Sequence, residues 1–207
     1  MQIKFRTNEE IWNEVEDFRQ KYCDPTKPVP VPIIEIAEAK LKLDPNPISG
    51  LRELVDVVGY LTNDLTEIVI DQKIYEDDRF LNLLRFTYAH EIGHLILHPE
   101  VIKNSEFRTT DEWKKFRLEM PEDQIAKFEY QANEFAGRLM VPKNKLIETI
   151  SVYIPKIRDY FQKSNDDNSD LICDYLGSLV CKTFMVSAQV IAHRIKREDI
   201  IKQILNP

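Results

Sequence analysis

Apolar residues recur at helical spacing from Thr7 to Tyr22, where Ile11, Trp12, Val15, Phe18 and Tyr22 form one stripe and Thr7 or Asn8 stands at the capping position. The pattern predicts an amphipathic helix, either a docking arm for a partner or a cover for the core. Four prolines between Cys23 and Pro32 predict an extended linker. A helix is expected from Ile33 to about Leu41, broken by Asp44-Pro45-Asn46-Pro47. Leu54 to Tyr60 and Thr66 to Asp71 are rich in β-forming residues around Asn63-Asp64, which predicts a hairpin. The longest apolar run follows: Leu81, Leu83, Leu84, Phe86, Ala89, Ile92, Leu95, Ile96 and Leu97. Asp77 and Asp78 bring capping and negative charge to its start and Pro99 ends it, so it reads as a mostly buried helix. Gly93 costs about 1 kcal/mol in a helix interior, which predicts an element packed closely against it.

Glu100 to Met120 is polar, anchored by Phe107, Trp113 and Phe116; it is either a mobile flap or a helical insertion. Pro121, Glu122 and Asp123 open a second long helix that Pro142 closes, and its small residues Ala132, Ala136 and Gly137 permit a close helix–helix approach. Lys143 to Phe161 reads as helical with a break near Pro155, and Ser164 to Asp170 as a solvated loop. Leu171 to Leu205 reads as helix, turn, helix, with Ser187 capping the second helix. Arg194, Lys196, Arg197 and Lys202 are expected to make its exposed side basic, either for contact with DNA or as a solvated face, while Glu198 and Asp199 dilute the charge. The fold class expected is α+β: mostly helical, with a small β-sheet beside the buried helix and a C-terminal helix-turn-helix-like segment. Residues 1–31 form an N-terminal helix and Pro-rich linker, 32–207 the main domain, and 170–207 its C-terminal helical segment.

The buried helix carries His90-Glu91-Ile92-Gly93-His94. Histidines four apart lie on one helix face, about 6 Å along the axis, where both imidazoles can bind one metal ion. Glu91 projects near the open coordination position and can take a proton from water there. His98 lies about 12 Å from His90 along a straight helix and cannot share that ion with both. A hydrolytic site of this kind needs a third protein ligand. Glu129 and Asn133 form an i,i+4 pair on the second long helix, so Glu129 can ligate while Asn133 orients a ligand histidine. The other reading makes Glu129 and Glu134 solvated charges on an amphipathic helix. Tyr88 and His193 are candidate oxyanion donors. The strand Ile68–Asp71 is either an edge for an extended substrate or an ordinary sheet strand.

Composition sets the bounds. The 207 residues are 43% hydrophobic and 30% charged, ordinary for a soluble globular chain, and enough for one domain or a domain with a small appendage. No run approaches ~18 uninterrupted apolar residues, so no membrane span is expected. Residues 1–6 lack a signal-peptide apolar stretch, and three cysteines without CxxC spacing suit a reducing compartment, so a cytoplasmic location is expected. A net charge of −7 argues against nucleic acid as the main ligand.

Three segments in order resemble the ImmA/IrrE metallo-endopeptidases: Ile68-Val69-Ile70-Asp71, RFTYAHEIGHLILH from Arg85 to His98, and EYQANEFAGRLMVP from Glu129 to Pro142. A weaker match runs from Phe184 to Ile195, and the spacer between His94 and Glu129 is long for the family. The resemblance implies a zincin-like fold, Zn2+ held by His90, His94 and Glu129, and Glu91 as general base. It also implies site-specific cleavage of a helix-turn-helix transcriptional repressor, in a stress, mobile-element or defence response. The alternative is a non-catalytic regulator or antitoxin-type binding protein with the same fold, against which the presence of Glu91 argues.

Overall fold

The computed structural model describes residues 2–163 and 169–205. The expected loop Ser164–Asp170 therefore lies outside the described residues except at its last two positions, which are helical. The first helix, α1 (Asn8–Tyr22), forms as the pattern predicts. Thr7 and Glu10 close a capping box at its start, and Ile11, Val15 and Phe18 are buried. It lies against the second long helix, α8 (Glu122–Met140), with the Phe18 and Phe135 rings edge to face at 5.8 Å. Short α2 (Ile33–Glu35), continued by a wider π-type turn over Ile36–Lys40, leads into the sheet.

The sheet has three strands: β1 (Asp44–Ile48), β2 (Gly59–Leu61) and β3 (Glu67–Asp71), ordered β1-β3-β2. β2 and β3 make the expected antiparallel hairpin. Two expectations are corrected here. Asp44-Pro45-Asn46-Pro47 is a strand, parallel to β3, rather than only a helix breaker. Asp44 N–H donates to Thr66 C=O, so by strand alternation Pro45 and Pro47 direct their missing N–H groups to the open edge, where proline costs no ladder bond and blocks further pairing. The run beginning at Leu54 is helical at first, as α3 (Leu51–Val55), and only Gly59–Leu61 is strand.

β3 occupies the centre of the sheet, so Ile68–Asp71 has no free edge for a substrate. The free edge near the histidines belongs to β2. Val58 C=O and Thr62 N–H bond to β3, which leaves the backbone groups of Gly59 and Leu61 facing outward. Asp71 ends β3 and caps α4 (Gln72–Glu76) by accepting from Lys73 and Ile74 N–H.

A 3₁₀ turn over Asp78–Phe80, capped by Asp77, feeds α5 (Leu81–Leu97). This helix has apolar residues on all sides and is correspondingly enclosed; Pro99 then opens the short α6 (Pro99–Lys103). At Gly93 a Cβ would come within 3.0 Å of Ala132 C=O and 3.1 Å of its Cα, so the absence of a side chain lets α8 cross α5 at this point. The 100–120 segment is a helical insertion, with α7 (Thr110–Glu119) started by a Thr109–Glu112 capping box. The chain continues through α9 (Lys143–Ser151) and α10 (Ile154–Lys163), broken before Pro155 as expected. Then come α11 (Ser169–Phe184), α12 (Ala188–Arg197) and α13 (Ile200–Leu205).

Ser187 caps α12 by accepting from Val190 N–H. The expected basic side is exposed at Lys196, Arg197 and Lys202, each beside a carboxylate, and is corrected at Arg194. Arg194 is buried between Glu134 and Glu198, Arg197 pairs with Glu134 at 2.8 Å, and Lys196 and Lys202 pair with Asp170 and Asp199. Arg194 and Arg197 tie α12 to α8 and Lys196 ties it to α11, while the Lys202 pair is local. Among the described residues, no single helix is long and apolar enough to cross a membrane.

Candidate metal centre

The α5–α8 crossing sets the site. His90 and His94 lie one turn apart on α5, and Glu129 faces them from α8. His90 Nε2 lies 3.0 Å from His94 Nε2 and 3.2 Å from Glu129 Oε2, and one donor atom of each residue falls within 4.8 Å of the others. Donors held by ~2.0–2.1 Å bonds to a tetrahedral ion stand about 3.3 Å apart, so this set fits one divalent cation of the zinc type. Asn133, one turn beyond Glu129, accepts from His90 Nδ1–H at 3.1 Å and so leaves Nε2 as the free donor.

Glu91 is buried, with the outward-facing Leu61 N–H of β2 nearby, and lines the same 290 Å³ pocket as the two histidines and Glu129. Burial pushes its carboxyl up to about 7; Glu129 adds to the rise, while His90, Leu61 and Arg117 oppose it. Burial opposes charge on His90, yet its bond to Glu129 and the nearby carboxylates carry it above its ordinary value. His94 is held well below its ordinary value by burial and by the neighbouring charges of His90, His98 and Arg117. Burial raises Glu129, but His90 and Arg117 outweigh it and keep the carboxyl low.

The pocket wall is built from three directions. Phe128 stacks on the His94 ring at 3.9 Å. From the insertion, Trp113 stacks on Tyr60 at 4.7 Å, while Arg117 Nη1 lies 3.4 Å from Glu129 Oε1. Gly59 supplies the β2 side: a Cβ there would meet Thr87 at 3.0 Å, so its absence lets the strand lie against α5. Neither Arg117 nor the Leu61 N–H could be anticipated from spacing, because both reach the site through tertiary contacts of a polar insertion and a three-residue strand.

The remaining sequence candidates separate. Tyr88 is corrected: it is fully buried and donates to Glu38 Oε1 at 2.9 Å, so it faces the core and cannot serve an oxyanion in the pocket. His193 is exposed and lines a neighbouring groove of 650 Å³ that meets the metal pocket at Leu83, Phe86 and Asn133. Glu134 is buried rather than solvated. It accepts from Trp12 Nε1–H at 2.7 Å and pairs with Arg197, on the side of α8 away from the donor set. His98 is buried beside His94, with burial lowering it to about 4.

No curated protein and no solved structure matches the chain. A family model described as the IrrE N-terminal-like domain, Peptidase_M78, matches residues 82–196, more than half of the 207-residue chain and the whole span that carries the donor set. That family implies a peptidase with a bound metal ion, and His90, His94 and Glu129 supply a donor set for one. With these helices in order and the match spanning them, the chain belongs to the ImmA/IrrE family of metallopeptidases.

Proposed function

We propose that the protein is a zinc-dependent endopeptidase that cuts a helix-turn-helix transcriptional repressor at a specific site. The observation that carries this reading is the convergence of His90, His94 and Glu129 beside a buried Glu91. Two imidazoles, one carboxylate and room for a further ligand are the donor set of a hydrolytic rather than a structural zinc site. A zinc ion bound there would supply the Lewis acidity that makes water acidic and polarises a peptide carbonyl.

The chain supplies the rest. Glu91, close to neutrality in proton affinity, takes the proton from the attacking water and passes it to the leaving amine. The outward backbone groups of β2 at Gly59 and Leu61 can pair with an extended substrate segment beside the histidines. Arg117, in the pocket wall, takes the place of Tyr88 as the candidate for stabilising negative charge on the carbonyl oxygen. The family resemblance supports the repressor substrate and a role in transcription regulation during stress or mobile-element and defence responses, and three cysteines without CxxC spacing support a cytoplasmic location. The paired charges of α12 speak against DNA as the main ligand.

The test is incubation of metal-loaded protein with repressors encoded near its gene, with fragments read by mass. Wild type yields one pair of fragments and Glu91→Gln yields none while keeping its metal. Equal relief of repression by both proteins would instead mark a non-catalytic binding protein.

A further inference from the structure

His94 and His98 share one face of α5, and their Nδ1 atoms are 3.0 Å apart. Both residues are buried, and the Phe128 ring covers them at 3.9 and 4.5 Å between centroids. On its far side His98 presents Nε2 to Gln131 Oε1 at 3.0 Å, and Gln131 is itself buried. The Gln131 amide nitrogen donates to the backbone carbonyl of Lys4 at 3.0 Å. The Lys4 segment is held in turn: Ile3 is buried, its N–H donates to Gln124 at 2.7 Å, and Arg6 donates to the Leu97 carbonyl.

A backbone carbonyl only accepts, so the direction of every bond in this chain is set from its outer end. Gln131 must turn its NH₂ to Lys4 and its oxygen to His98. His98 must then carry its proton on Nε2, which leaves Nδ1 as an acceptor. The proton between the two histidines therefore sits on His94 Nδ1. His94 Nε2, which faces His90 Nε2 at 3.0 Å, keeps its lone pair. Reversing the amide would reverse every step and place a proton on His94 Nε2, where it would block ligation. Both rings are buried against Phe128, among the described residues no other side chain bonds these nitrogens, and a buried polar group without a partner is costly.

We propose that Lys4, Gln131 and His98 form a one-way hydrogen-bond relay that fixes the ligating tautomer of His94, with His98 and Gln131 as positioning residues and the N-terminal segment as its anchor. The relay rests on the metallopeptidase reading for its purpose, but its hydrogen-bond direction can be tested without metal. It complements the Asn133 bond to His90, so that each histidine has a dedicated partner from α5 or α8.

The experiment uses the full chain in two arms. In the first, zinc affinity is measured by competition with a chromogenic chelator. His98→Leu and Gln131→Leu should bind zinc ~10–100-fold more weakly than wild type. His98→Asn, whose Oδ1 falls near the position of the lost Nδ1, should stay within a few-fold. In the second, ¹⁵N imidazole spectra of metal-free protein report the tautomer: His94 should be Nδ1–H in wild type and mixed in His98→Leu. A His94 that carries its proton on Nε2 in metal-free wild type overturns the relay, whatever the variants do. So does a His98→Asn protein that loses as much affinity as His98→Leu. A wild type that binds no zinc would defeat the metallopeptidase reading instead, leaving the spectra to decide the relay.

Discussion

Replacing Glu91 by glutamine should stabilise the metal-free protein while abolishing its chemistry. The carboxyl is buried and its pKa rises from an ordinary 4.5 to about 7 in the fold. The folded state thus holds this proton more tightly than the unfolded chain does. The stability linked to it is fully present below 4.5 and lost as pH rises through about 7. At ~1.4 kcal/mol per pH unit, ionising the group in place costs the fold up to about 3 kcal/mol at pH 8. Glutamine keeps the shape and carries no charge to bury. In urea unfolding with chelator present, Glu91→Gln should therefore exceed wild type by ~1–3 kcal/mol at pH 8, and the two should coincide near pH 4. The same variant loses the base, so turnover with metal restored should fall by at least ~10²–10⁴. A variant no more stable than wild type at pH 8, or a gain that persists undiminished at pH 4, would refute the assignment of a buried, proton-holding carboxyl.

Other expectations follow from the same geometry. Asn133→Ala removes the partner of His90 Nδ1 and should weaken zinc retention or turnover ~10–100-fold with little effect on folding, read by chelator competition and thermal melting. Glu134→Ala should leave zinc binding nearly intact but destabilise the fold by ~1–3 kcal/mol in urea, because Trp12 and Arg197 lose their acceptor while Arg194 keeps only Glu198. Gly93→Ala drives a methyl against the α8 backbone, so it should cost ~1–3 kcal/mol and weaken zinc binding, since Glu129 rides on that helix.

The helices and the shared face of the histidine pair were legible because both depend on periodicity, whereas spacing left Glu129 open and the family resemblance singled it out. At 3.6 residues per turn, His90 and His94 share a face, as do Glu129 and Asn133, and Glu134 lies well around the cylinder from Glu129. The same rule places Tyr88 about 200° from His90, so its inward direction was readable from spacing. Gly93 marked the helix crossing for a similar reason: a residue unfavourable to its own helix has to be useful to a neighbour. What was not legible lies in tertiary pairing. β1 hid behind two prolines that are harmless only on an edge strand with their nitrogens turned outward. The basic look of α12 did not reveal that Glu134 and Glu198, one of them sixty residues upstream, would neutralise Arg194. His98 was correctly separated from His90 by distance along the helix, but its bond to His94 needed the α8 side chain Gln131 to become visible.

The most direct test of the metal centre is elemental analysis of protein purified without chelators. About one equivalent of zinc per chain is expected in wild type and in Glu91→Gln, with nearly all of it lost in His94→Ala and Glu129→Ala. Absence of any divalent metal from wild type, or full retention in both ligand variants, would contradict a hydrolytic centre built from His90, His94 and Glu129.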